Sequence, residues 1–251
     1  MIEVHVIASG SDGNCAVVQL DDEAVMIDAG ISYSRMHKLM AQEGVDEHCI
    51  KDLLITHEHT DHIGGAGPVV RKLGIPLLCN RATFNAFNPG AVDYHEIRTM
   101  GSFCLGQMEI LPLPTSHNAA EPNAFLIRAD GKSVLVATDT GKLTFQCEQA
   151  LAEADLAVIE ANYDREMLRD GPYPPALKRL IGSEIGHMCN VDTAAAIKRT
   201  QNKDRKIFLA HLSKTNNTPD VARETVAEIS GIRRMKLDCL EFPGDTRTLR
   251  V

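Results

Sequence analysis

Residues 54–65 read LITHEHTDHIGG, and this stretch decides the fold. His57, Glu58, His59, Asp61 and His62 crowd into six positions directly behind an apolar run and before the Gly64–Gly65 turn. A packed core has no use for such side chains, because unpaired polar and charged groups lose hydration there. A bound metal would supply the compensation. Imidazole and carboxylate donors suit zinc and neighbouring divalent ions. A tight loop held by a strand can converge its ligands on one point. The spacing lets His57 and His59 share one ion, with Asp61 and His62 turned toward a second. A surface loop that merely happens to be rich in histidine is a poor account of H-x-H-x-D-H placed straight after an apolar strand.

The rest of the chain supports a large core. Its 251 residues are 44% hydrophobic, which suits one large domain or two small ones, and a single domain over residues 1–251 is expected. The formal charge of −8 excludes a global basic footprint for nucleic acid. KRTQNKDRK, residues 198–206, is locally basic and reads as a solvated helix end and loop ahead of a phosphate-binding patch. Seven singly scattered cysteines without a C-x-x-C pair point to free thiols in a reducing cytoplasm. The opening MIEVHVIASG lacks the pattern of a signal peptide, and no apolar run approaches the ~20 residues of a membrane span. A soluble cytoplasmic protein is expected.

Short strands alternate with helices. IEVHVIAS, CAVVQL, AVMID, KDLLIT, IPLLC, MEILPL, NAFLIRA, SVLVAT, LAVIEA, KIFLAHL and MKLDCLEF have strand character. Asp130-Gly131 joins two of them as a hairpin. Helices are expected after Ser32, through GPVVRKL, through LTFQCEQALAEA, from Asp192 through AAAIKR, and after the Thr218 cap with Pro219 in its first turn. The pattern fits an α/β chain with two sheets covered by helices.

Two metals need more ligands than one loop offers. His117 follows MEILPLPTS, Asp139 follows SVLVAT, and His211 follows KIFLA, each just past an apolar strand. The H-x-H-x-D-H loop followed by a later His, an Asp and a His resembles the metallo-β-lactamase fold superfamily of metal-dependent hydrolases, along essentially the whole chain. That resemblance implies a four-layered αββα sandwich. It implies that His57, His59 and His117 bind one metal, that Asp61, His62 and His211 bind the other, and that Asp139 bridges them. Lactamases of this fold carry a cysteine where Asp139 stands. A carboxylate there is similar to the nuclease, phosphodiesterase and glyoxalase II branches. Cys147 and Cys189 fall outside any matching motif.

Three further segments, ASGSDGNCAVV, VIEANYDREMLRDGPYPPALKRLIGSEIGHMCN and LAHLSKTNNTPDVA, resemble the YycJ (WalJ/VicX) group of bacterial cytoplasmic proteins, which includes DNA exonucleases. Met188-Cys189 departs from the Leu-Ser expected there, which bears on the shape of that loop. Glu160 and His187 are similar to a pair in the ribonuclease Z branch, where the Glu orients a His that protonates the leaving group. The implied reaction is phosphodiester hydrolysis, on DNA before other substrates, by a hydroxide bridging two divalent ions (zinc or manganese, or iron). Asp61, Glu160 and His187 would carry the catalysis beside the metals.

Candidate substrate contacts are Ser11, Asn14, Lys178, Arg179, Asn190 and Asn216. The turn holding Ser9, Gly10, Ser11, Gly13 and Asn14 reads equally as an anion cradle or a plain β-turn. Arg165 and Arg169 are further candidates, offset by neighbouring acids. His5, His37, His48 and His95 read as ordinary strand, helix and turn residues. Two rivals stand beside the nuclease: a hydrolase of a small phosphodiester or thioester, and a non-catalytic metal-binding or signalling module.

Overall fold

A computed structural model describes residues 1–200, 204–242 and 244–251. One sheet is built from β1 (Ile2–Ala8), β2 (Cys15–Leu20), β3 (Glu23–Ile27), β4 (Ile50–Leu54), β5 (Leu77–Cys79) and β6 (Tyr94–Glu96). The other holds β7 (Phe103–Leu105), β8 (Met108–Pro114), β9 (Asn123–Ala129), β10 (Lys132–Ala137), β11 (Leu156–Glu160), β12 (Lys206–Ala210) and β13 (Leu237–Asp238). A last strand, β14 (Arg247–Arg250), returns to the first sheet beside β1. Spatial order is 14-1-2-3-4-5-6 in one sheet and 13-12-11-10-9-8-7 in the other.

Alternation of side chains builds three apolar layers, because successive residues of a strand face opposite ways. Val25, Ile27, Phe125, Ile127, Val134, Val136 and Phe208 fill the space between the sheets. Full burial of a Phe or Val there contributes ~1.5–3 kcal/mol. Ala24, Met26, Leu53 and Ile55 face outward, under α1 (Tyr33–Glu43) and α3 (Ala66–Leu73), the latter preceded by the single turn α2 (Thr60–Ile63). Beyond the short α4 (Arg81–Ala86), the second sheet turns Leu126, Leu135, Ala157 and Ile159 onto α5 (Phe145–Glu153). After the small helices α6 (Arg165–Asp170) and α7 (Pro175–Ile181), α8 (Asn190–Arg199) and α9 (Pro219–Ser230) complete that outer layer. Helix, sheet, sheet and helix form the expected four layers.

Helix boundaries follow local chemistry. Ser32 caps α1 by accepting from the Arg35 amide, and Gly44 closes it at φ 74°. Thr218 and Gly231 do the same for α9. Helix α8 begins two residues before the expected Asp192, because the Cys189 thiol accepts the Asp192 amide at 3.4 Å. This cysteine stands where a serine was expected and takes over the capping role. It also accepts from Arg165 Nε at 3.1 Å.

Several expectations need correction. MKLDCLEF forms only the two-residue β13, preceded by a 3-10 turn at Arg234–Lys236. IPLLC shrinks to Leu77–Cys79. The elements β6, β7, β14, α4, α6 and α7 went unforeseen; each spans no more than seven residues, too short for a clear period. The basic stretch 198–206 lies partly outside the described residues. Within it, Arg205 turns inward and donates to the carbonyls of Thr200 (2.6 Å) and Ile197 (3.2 Å), so it caps the end of α8.

Candidate metal centre

Parallel strands deliver their C-terminal ends to one edge. Strand β4 runs parallel to β3, and β10, β11 and β12 run parallel to one another. Strand β8 shares their direction, since both β8 and β10 are antiparallel to β9. His57, His117, Asp139, Glu160 and His211 therefore all stand at or just past strand ends on that edge. Asp139 and His211 adopt left-handed backbone, with φ of 53° and 56°. For a non-glycine residue this conformation is strained, and it recurs where function fixes a side chain.

Donor atoms of His57, His59 and His117 lie within 4.8 Å of one another, as do those of Asp61, His62 and His211. His57, His62 and Asp139 form a third such group that joins the two, and Asp139, Glu160, His187 and His211 a fourth. All seven anticipated ligand side chains thus converge. Glu58 points elsewhere and accepts the Ala120 amide at 2.8 Å, tying the loop to the segment after His117.

Second partners aim the rings. The Thr56 hydroxyl donates to Asp28 Oδ2 (2.9 Å), so its lone pair accepts from His57 Nδ1 (3.0 Å) and His57 Nε2 faces the centre. His62 Nδ1 donates to Asp28 Oδ2 at 2.7 Å. His117 Nδ1 donates to the Gly186 carbonyl at 2.9 Å. Such outer hydrogen bonds select the tautomer that offers its free nitrogen to an ion. Asn14 is a loop brace: its amide donates to the Asp61 carbonyl and carboxylate, both at 3.3 Å, and its oxygen accepts from Gly10 N. Gly30 is required beneath, because a Cβ there would lie 1.7 Å from the Asp61 carbonyl oxygen.

Charge in the cluster is arranged for a cation. Burial alone would push the His62 imidazole down, yet the carboxylates of Asp139 and Asp28 outweigh it and raise it to about 10. His211 is likewise raised by Asp139, Asp61 and Glu160 against its burial. Asp139, although buried, is held well below the usual carboxylate range by His211 and His62. His57 is driven well down by burial and by His62, which leaves a neutral ring. Among the described residues, two buried atoms at the centre, His57 Nε2 and Asp139 Oδ2, have no hydrogen-bond partner; Asp139 Oδ2 faces His62 Nε2 as an ion pair at 2.9 Å. Partnerless buried acceptors are costly unless an ion takes them. These residues fit divalent cations.

Beside the cluster, Glu160 is fully buried and accepts from Thr140 N (2.9 Å) and Met188 N (3.2 Å). Its other oxygen lies 2.7 Å from His187 Nδ1. Burial lowers His187, but Glu160 overrides that and raises it, so the imidazolium is favoured. His187 opens onto a pocket of about 180 Å³ with His59, Asp61, His117, Asp139 and His211 at its base and Ser11, Leu177, Leu180 and Ile181 at its mouth.

Other anticipated contacts lie differently. Asn190 is buried in a reciprocal amide pair with Asn217, 3.0 and 2.9 Å, outside the pocket. Asn216 is 1% exposed behind Gly171 and does not line it. Lys178 folds back onto the Arg169 carbonyl at 2.7 Å, and Arg179 is exposed on the outer side of α7. Hydrogen bonding within the fold took Asn190 and Lys178, and burial took Asn216. Asp28, Thr56 and Asn162 went unnoticed in the sequence, and Ser9 stood out there only as part of the turn that ends at Asn14. Asn162 donates to the His211 carbonyl (2.8 Å), and Ser9 Oγ accepts the His211 amide (2.7 Å). Only Asp28 left a signal, as a carboxylate ending the apolar strand AVMID.

Comparison with known proteins agrees with this geometry. Residues 23–212 match the Beta-lactamase superfamily domain. The chain is 36% identical over 234 residues to the exodeoxyribonuclease YycJ of Bacillus anthracis, covering 91% of this chain and 89% of that one. It is 37% identical over 229 residues to the exodeoxyribonuclease WalJ of Streptococcus pneumoniae, covering 88% and 85%. Among solved structures, the metallo-β-lactamase fold protein YhfI of Bacillus subtilis superposes with a TM-score of 0.75 at 17% identity, covering 98% of this chain and 99% of that one. Human tRNase Z, short form, superposes at 0.69 and 14% identity, covering 99% and 100%. The chain belongs to the metallo-β-lactamase superfamily of metal-dependent hydrolases, in the group of YycJ and WalJ.

Proposed function

We propose that the protein is a two-metal phosphodiesterase that degrades DNA as an exonuclease. The observation that carries this reading is the Glu160–His187 pair, at 2.7 Å, set against a cluster of carboxylates and imidazoles. His57, His59 and His117 would hold one ion, Asp61, His62 and His211 the other, and Asp139 both. Two divalent ions bound there (zinc, manganese or iron) supply an activated water near neutral pH and offset the phosphoryl charge.

The protein's own groups do the rest. Glu160 takes the Nδ1 proton of His187 in a hydrogen bond and stabilises the ring's positive charge. The opposite nitrogen, Nε2, then carries the proton that a departing sugar oxygen needs. Leu177, Leu180 and Ile181 narrow the entrance and exclude bulk water. Seven unpaired cysteines are consistent with a reducing cytoplasm, and no helix among the described residues is long and apolar enough to cross a membrane. The relatives named as exodeoxyribonucleases support DNA as substrate. The modest pocket and the net charge of −8 favour, as second reading, a small phosphodiester.

End-labelled single- and double-stranded DNA and RNA, incubated with zinc, manganese or iron, test this directly. Stepwise shortening of DNA is expected. Hydrolysis of bis(p-nitrophenyl) phosphate without any shortening of DNA would replace the nuclease by the small-ester reading.

A further inference from the structure

A second cavity, of about 400 Å³, lies across the Ser9–Asn14 turn from the metal pocket. Ser11 and His211 line the metal pocket, whereas their chain neighbours Asp12, Gly13 and Leu212 line this other space, and no residue lines both. Ile7, Leu209, Leu212, Pro219 and Leu240 make its walls mostly apolar. Ile7 and Leu209 are core residues, at most 1% exposed, so the cavity reaches down to the packed interior. Size and lining are those of a small-molecule site.

Charge at its rim decides what such a molecule would carry. The acids there are Asp12, Glu241 and Asp245. Each already has a cation: Asp12 pairs with Lys214, Glu241 with Arg223, and Asp245 with Arg247 at 3.2 Å. Arg35 also lines the cavity, from the first turn of α1. Its side chain is exposed and, among the described residues, has no ion pair and no hydrogen bond. The acids are compensated and this guanidinium is not. A guanidinium offers several donors in a fixed fork, which suits a carboxylate or sulfonate.

We propose that the cavity is a binding site for a small apolar molecule with one acidic group, its body against Ile7, Leu209, Leu212 and Leu240 and its anion on Arg35. Apolar area removed from water supplies the affinity, and the single cation sets the orientation. The site shares no lining residue with the proposed hydrolysis and stands or falls without it.

The dye anilinonaphthalene sulfonate, titrated by fluorescence into the metal-loaded full chain, tests the site, with its uncharged parent phenylnaphthylamine as the comparison. Arg35→Gln, a change at an exposed side chain, should raise the Kd of the sulfonate roughly 3–10-fold and leave that of the parent as it was. Leu240→Trp, which fills the cavity from its half-buried wall, should abolish binding of both. Unchanged affinities in both variants overturn the proposal, because the dyes then bind elsewhere. An equal loss of both dyes in Arg35→Gln overturns it too, since the charge would then play no part. Chelating the metals should leave the sulfonate's affinity unaltered; its loss would seat the anion on the metal centre and sink the site. A chain that self-associates and takes up dye only on dilution would mean that a second copy covers the cavity, which equally overturns the proposal.

Discussion

The metal cluster and the flap above it are built on opposite terms. In the cluster, His57, His62, Asp139 and His211 are each at most 3% exposed; His57, Asp139 and His211 follow strand ends and His62 sits in the turn α2. His57 and His62 are further locked by Asp28 and Thr56. The flap, from α6 through Gly186, consists of two short helices with Leu177, Leu180 and Ile185 39–48% exposed, and its charges sit in surface pairs. One region spends burial on fixing geometry; the other presents adaptable surface at the pocket mouth. The proposed function would place chemistry on the rigid edge and recognition on the loose rim, a division that mutation can probe.

The largest effect should come from the rigid side. Asp61→Ala removes a carboxylate from the cluster proposed for the second ion, and DNA cleavage should fall to the level of the chelated protein, with one metal equivalent lost by elemental analysis. Near-normal turnover would make Asp61 a structural residue. Next comes His187→Ala, which should keep both metals and lower turnover on DNA roughly 10²–10⁴-fold. The loss on bis(p-nitrophenyl) phosphate should be much smaller, because p-nitrophenolate departs without a proton. Loss of metal in that variant would place His187 in the ligand shell and break the division between cluster and acid.

Asp28→Asn should weaken metal binding roughly 10–100-fold, the usual effect of an outer partner of a ligand histidine. The pH dependence of metal uptake follows from the same contacts. His62, raised to about 10, carries a proton in the metal-free protein at neutral pH. That charge stabilises the metal-free fold fully below the ordinary histidine value and progressively less as pH rises toward 10. An entering ion must displace the proton, so affinity should climb about tenfold per pH unit for each proton released. Titrations at pH 6.5, 7.5 and 8.5 in weak buffer measure both slope and release; a flat profile would mean that no histidine proton is exchanged. The smallest effect belongs to the flap. Leu177→Ser with Leu180→Ser should raise KM for DNA a few-fold while metal content and melting temperature stay close to wild type.

Much of the layout was readable along the chain. Short apolar runs marked β1–β4 and β8–β12, and Ser32 and Thr218 marked helix starts through their own hydroxyls. The side chains of H-x-H-x-D-H, His117, Asp139 and His211 could be singled out because each polar group follows an apolar strand. Such signals are local, and local sequence carries them.

Tertiary contacts decided the remainder. Asn190 and Asn216 look like surface amides in sequence, but pairing with Asn217 and closure behind Gly171 bury them. Asp28 acquires its part only because β3 lies beside β4, which brings it to His62 across 34 residues. The short helices α6 and α7 exist through packing of Leu168 and Ile181 on Tyr163, since six or seven residues cannot sustain a helix alone. Residue type and order along the chain determined which groups could meet. Which ring nitrogen faces the centre, and which amide is spent inside the fold, follows from hydrogen bonds between distant segments, and those form only when the two sheets close on each other.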